Sequence, residues 1–182
     1  TGAFSVASLN ILGARAVTRK DGLAIDVFYV EDKNGGVVDD PKIRQLCESS
    51  IRSFLADKIS PDELISEKKK KTDRSQRFSN QDKLGERIAS QVDVYRDISL
   101  NRTIVEVRAP DQVGLLHLIA KTISTCGVSI QFARIATEQG IATDVFNIEP
   151  LESKESFSPI LFLELREKLS AALFEGKFYH EV

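Results

Sequence analysis

The residues best placed to do chemistry lie in one short turn. Pro110-Asp-Gln-Val-Gly114 stands between an apolar run and a helical pattern. A helix start offers backbone N–H groups with no partner inside the helix, which suit an anion. Gly114 allows close backbone approach, and Asp111 supplies a carboxylate for a cationic or amide donor. Catalytic groups are scarce by comparison. His117 falls on the polar side of the helix that follows, one turn before Lys121, and reads as a surface histidine. His180 has no acidic or cysteine neighbour at metal spacing. Cys47 lies in an apolar stripe and Cys126 just before Gly127, where packing accounts for both. Neither G-x-G-x-x-G nor a P-loop pattern occurs. No catalytic, metal or cofactor site is therefore expected.

The elements that position these residues come from a duplication. Asn10 to Asp32 recurs as Ser129 to Pro150, with one residue deleted at the turn and ten of 22 aligned pairs identical; composition alone would give about one or two. The offset is 119 residues before the turn and 118 after it. Each copy reads as a hairpin: Leu12–Thr18 and Leu23–Val30 around Arg19–Gly22, then the repeat around Glu138–Gly140. Opposing Thr18 to Leu23 and Thr137 to Ile141 predicts cross-strand ion pairs, Arg15 with Asp26 and Arg134 with Asp144. A helix follows each hairpin behind a capping side chain and proline, Asp40-Pro41 and Ser158-Pro159. The first carries Ile43, Leu46, Cys47, Ile51 and Phe54 on one face, the second Phe162, Leu165, Leu169 and Leu173.

The second copy also shows a preceding strand, Thr103–Ala109, and a helix, Leu115–Ser124, with Leu115, Leu116, Ile119 and Ile123 inward. A closing strand is expected at Lys177–Val182. The order strand, helix, strand, strand, helix, strand defines an α+β, ferredoxin-like unit. The first copy lacks its opening strand and most of its first helix, of which Gly2–Ala7 is the end; Val92–Ser99 would be its closing strand. The expected division is 1–100 and 101–182, with 60–90 a polar linker or excursion carrying a helical stretch near Asp82–Ala89.

The wording Val105-Glu-Val-Arg-Ala-Pro-Asp-Gln-Val-Gly-Leu-Leu116, Ala133-Arg-Ile-Ala-Thr137 and Asp144-Val-Phe146 resembles an ACT domain. With Ala14-Arg-Ala-Val-Thr-Arg19 and Asp26-Val-Phe-Tyr-Val30, it is most similar to the tandem C-terminal pair of bacterial uridylyltransferase/uridylyl-removing enzymes, which modify the PII nitrogen-signalling protein. The family's turn reads Asp-Arg-Pro-Gly; here Asp111 and Gly114 stand, while Gln112 and Val113 replace the Arg and Pro. The resemblance implies a regulatory module that senses an amino acid, glutamine in this family, with catalytic domains elsewhere in the parent protein. It also implies ACT–ACT pairing and a site shared between copies: Asp111, Gln112, Val113, Gly114, Leu115 and Leu116 facing Asn10 and Ile11. Ser129 replaces Asn10 in the second copy, so the two possible sites are unequal. A ligand-free pairing module is the alternative.

Composition limits other functions. The 182 residues are 42% hydrophobic and 29% charged, with 25 Lys+Arg against 27 Asp+Glu, a net charge of −2. That charge gives no global attraction for nucleic acid, and acidic neighbours dilute the Lys68–Lys71 run. The central strand from Thr103 to Arg108 has no aromatic on which to stack RNA bases. No apolar run reaches the ~18 residues of a membrane span, and no signal peptide opens the chain. Two cysteines exclude a disulfide scaffold. A cytoplasmic module binding neither nucleic acid nor membrane is expected.

Overall fold

The computed structural model describes residues 1–18, 21, 23–76, 89–99, 101–151 and 158–178. Its elements are α1 (Gly2–Val6), β1 (Asn10–Thr18), β2 (Ala24–Glu31), α2 (Pro41–Leu55), α3 (Pro61–Gln76), β3 (Gln91–Asp97), β4 (Arg102–Pro110), α4 (Leu115–Thr125), β5 (Val128–Arg134), β6 (Thr137–Glu138), β7 (Ile141–Pro150) and α5 (Pro159–Phe178). The seven strands form one antiparallel sheet in the order β2-β1-β5-β7-β4-β3, with β6 added beside β7. The copies meet edge to edge, Ala14 of β1 opposite Ala133 of β5.

The helix starts follow from their caps. Asp40 accepts a 2.8 Å hydrogen bond from the Lys42 amide with Pro41 at the first position, and Ser158 Oγ accepts one of 3.2 Å from Leu161 N. In the second copy, Thr103, Val105, Val107 and Ala109 turn one face of β4 into the core with Phe146 and Ile148. Leu115, Ile119 and Ile123 of α4 and Leu165, Leu169 and Leu173 of α5 cover it. The first copy has a smaller cluster, Ala3, Ala7, Leu9 and Cys47, edged by Ile43, Val30 and Phe54. Phe4 and Phe28 meet there with ring centroids 4.7 Å apart. Leu46 and Ile51 of the α2 stripe remain exposed.

Three expectations need correction. Residues 92–99 do not close the first copy: β3 pairs with β4, Val94 opposite Val105, and so occupies the edge expected for Lys177–Val182. Lys177 and Phe178 instead end α5, while 179–182 lie outside the described residues. Residues 61–76, within the expected 60–90 linker or excursion, form a helix; the expected helical stretch near 82–89 lies almost wholly outside the described residues. The third correction is register. Glu138 faces Ile141 across a two-residue turn in which Gln139 and Gly140 both have positive φ, 50° and 75°. Such a turn matches the strand twist. It sets Thr137 opposite Ala142 and Arg134 opposite Val145. The first hairpin slips likewise, with Thr18 opposite Ala24, Arg15 opposite Val27 and Ala16 opposite Asp26. One residue of slip reverses the faces. Neither Arg15–Asp26 nor Arg134–Asp144 is therefore an ion pair: each arginine lies on the open face and each aspartate on the helix face.

Candidate functional site

All eight residues expected at the shared site, Asp111 to Leu116 with Asn10 and Ile11, line one cavity of about 520 Å³. The turn comes from the end of β4 and the start of α4, and the facing wall from the start of β1. Edge pairing of β1 with β5 brings the two together. Asp111 N–H donates to Gly140 O at 2.8 Å, tying this turn to the tight turn between β6 and β7.

Gly114 has φ +80°, and a Cβ there would stand 2.5 Å from Cγ2 of Ile65. Only glycine meets both demands. The close approach is made by helix α3, which sequence reading assigned to a linker. Asp62 of α3 accepts from Lys121 Nζ at 2.6 Å and lies 3.1 Å from His117 Nε2. Its carboxyl is held below the ordinary aspartate value chiefly by the Lys121 hydrogen bond. His117 is thus no surface histidine: its side chain is 18% exposed and burial lowers its pKa. Lys68, seven residues beyond Pro61, reaches the other copy's remnant. Its Nζ donates to Val6 O at 2.9 Å and Ser8 Oγ at 2.6 Å, at the C-terminal end of α1. Helix α3 therefore clamps α1 to α4 along the rim of the cavity.

The polar groups on the wall are unevenly satisfied. Asn10 Nδ2 makes long contacts of 3.5 Å to Glu31 Oε1 and 3.4 Å to Asp32 O. Among the described residues no side chain caps α4, whose N-cap is Gly114, so Asp111 is not the helix cap. Asp111 is exposed, yet desolvation of its carboxyl raises its pKa, with the Gln112 amide opposing. Asp144, placed on the cavity wall by the observed register, is 1% exposed, and its Oδ1 has no hydrogen-bond partner among the described residues. Its pKa is pushed up to about 7, first by desolvation and further by the Asp111 charge, against the Ala136 amide.

Sequence reading missed Asp144, Lys68 and Ile65 as parts of this region. A one-residue register error hid Asp144, and a charge run hid Lys68. Arg15 lies opposite Val27 and Phe132 on the open face, and Arg134 lies beside Arg108 and Thr143 there. Among the described residues no group of three or more His, Cys, Asp and Glu could hold a metal ion. None of the described helices is long and apolar enough to cross a membrane.

No protein-family model matches the chain, and no solved structure does. Curated relatives do. It is 30% identical over 180 residues to the bifunctional uridylyltransferase/uridylyl-removing enzyme of Caulobacter vibrioides and 31% identical over 180 residues to that of Phenylobacterium zucineum, each match covering 96% of this chain. The enzyme of Gluconobacter oxydans is 28% identical over 172 residues, 94% of the chain. The chain spans only about 18% of each relative's length. By sequence, then, it is a relative of the bifunctional uridylyltransferase/uridylyl-removing enzyme family, corresponding to less than a fifth of a member's length.

Proposed function

We propose that the chain is a non-catalytic, amino-acid-sensing ACT pair, with glutamine as ligand, in a uridylyltransferase that acts on the PII protein. The supporting observation is the cavity where Asp111–Leu116 of one copy meets Asn10 and Ile11 of the other. An amino acid brings two opposite charges that are costly to bury bare. The uncapped start of α4 suits the carboxylate. Asp111 suits a donor, and the Asn10 amide can both donate to and accept from a glutamine side chain. Ligand held between the copies would bias their packing, which gives the parent enzyme's catalytic domains something to respond to.

A thermal-shift screen of the common amino acids tests this reading, because a ligand of the folded state adds about 2.7 kcal/mol at a hundred times its Kd. Glutamine is expected to raise the Tm, and Asp111→Ala and Asn10→Ala each to weaken that shift. A second reading, a pairing module without ligand, draws on the β1–β5 edge contact and the α3 clamp, which already join the copies. No shift with any amino acid would favour it.

A further inference from the structure

On the strength of that reading, we propose that Asp144 is the residue that grips the ligand's α-ammonium, from the buried end of the cavity, with Asp111 as its exposed partner. Two independent observations carry this. The Asp144 side chain is 1% exposed, lines the cavity and leaves Oδ1 with no hydrogen-bond partner among the described residues. An orphaned buried carboxylate oxygen costs stability unless something arrives to satisfy it. Asp111 lies on the same cavity, close enough for its charge to bear on Asp144. Two carboxylates facing one space set up a negative potential that a cationic donor relieves.

Among the described residues the other charged groups on the cavity are Glu31, Lys33 and Lys68. Lys68 reaches oxygens of Ser5, Val6 and Ser8, so its ammonium serves the end of α1. An ammonium presents three N–H donors, enough for Asp144 Oδ1 and Asp111 together. The amino acid's carboxylate would then lie toward the start of α4 and its side chain toward Asn10. With a carboxyl that titrates near 7, binding draws Asp144 into its charged form and releases its proton to solvent.

Calorimetry on the 182-residue chain tests the assignment, with glutamine and with glutaramate, which is glutamine without its α-ammonium. The wild-type chain is expected to prefer glutamine by about tenfold to a hundredfold, the range for a hydrogen bond to a charged group. Asp144→Asn is expected to lose that preference. At pH 7, glutamine binding to the wild type should release about half a proton, read from buffers of different ionisation enthalpy. This last measurement needs no variant, so it stands even if Asp144→Asn fails to fold. Glutamine binding without proton release, or a glutamine preference intact in a folded Asp144→Asn, overturns the role of Asp144 and leaves amino-acid sensing standing. A wild-type chain that binds no glutamine removes both.

Discussion

Asp26 and Asp144 occupy the same place in the two copies of one duplicated hairpin, each followed by Val-Phe. Each points to the helix side of the sheet, yet Asp26 is exposed while Asp144 is 1% exposed. The aromatic two residues on differs in the same direction: Phe28 is only partly buried beside Phe4, and Phe146 is 1% exposed. Two full helices, α4 and α5, cover the second hairpin. The short α1 and one stripe of α2 cover the first. Identical residues thus differ in burial, and it is burial that raises the pKa of Asp144.

The largest expected effect concerns what holds the second copy's turn. Gly114→Ala forces a left-handed conformation on an L-residue and drives a Cβ into Ile65. Strain and overpacking together should cost about 3–5 kcal/mol, measured by urea unfolding. Adding Ile65→Ala should recover the steric part but not the backbone part, so the double variant should be less destabilised than additivity predicts. Simple additivity would mean that α3 does not rest on this turn.

The pair of aspartates is the next test. Because the folded pKa of Asp144 lies above its unfolded value, the folded state binds the extra proton between about pH 4 and pH 7. Stability falls as pH rises through that window and stays low above it. Asp144→Asn should therefore stabilise the ligand-free chain at pH 8 by up to about 4 kcal/mol, with the gain fading toward pH 4. Asp26→Asn, at an exposed position, should change stability by less than about 0.5 kcal/mol. Equal responses from the two variants would erase the distinction between the copies.

The α3 clamp has the opposite pH sense. The folded pKa of Asp62 is lowered, so its contribution is present above the ordinary aspartate value and lost as pH falls. His117 is held neutral by burial, and charging it in acid also works against the fold. Asp62→Ala should cost about 0.5–1.5 kcal/mol at pH 7, moderated by its half-exposed setting. Hydrogen exchange along 61–70 should quicken in the variant, and in the wild type as pH is lowered, after correction for the intrinsic rate. Protection that does not depend on Asp62 would assign the clamp to Ile65 alone.

Both hairpins, α2, α4 and α5 were legible because their signals are local: a duplicated pattern, proline behind a cap, apolar residues at helical spacing. The same start signal stands at Ser60-Pro61-Asp62-Glu63, but the charges after it mask the short apolar pair Leu64-Ile65, of which Ile65 makes the contact. The edge taken by β3 was not legible, since a strand of either copy could fill it and only tertiary packing chooses. The turn at Asp111–Gly114 could be named from its own residues, and Asn10–Ile11 only from what the ACT resemblance implies. Asp144 could not: its face depends on whether the turn holds two residues or three, and an alternating strand amplifies that single residue into a reversal.

The smallest expected effects sharpen that register. Arg15 faces Val27 and Phe132, and Arg134 faces Val145, on the side of the sheet away from the aspartates. Alanine at either arginine should change stability by no more than about 0.5 kcal/mol, as for an exposed side chain without a buried partner. Double-mutant cycles of Arg15→Ala with Asp26→Asn, and of Arg134→Ala with Asp144→Asn, should give coupling near zero. A cross-strand ion pair would instead give roughly 0.2–1 kcal/mol. Such coupling in the second hairpin would return Asp144 to the open face and take it out of the cavity, whereas coupling confined to the first would show that the copies differ in register as well as in burial.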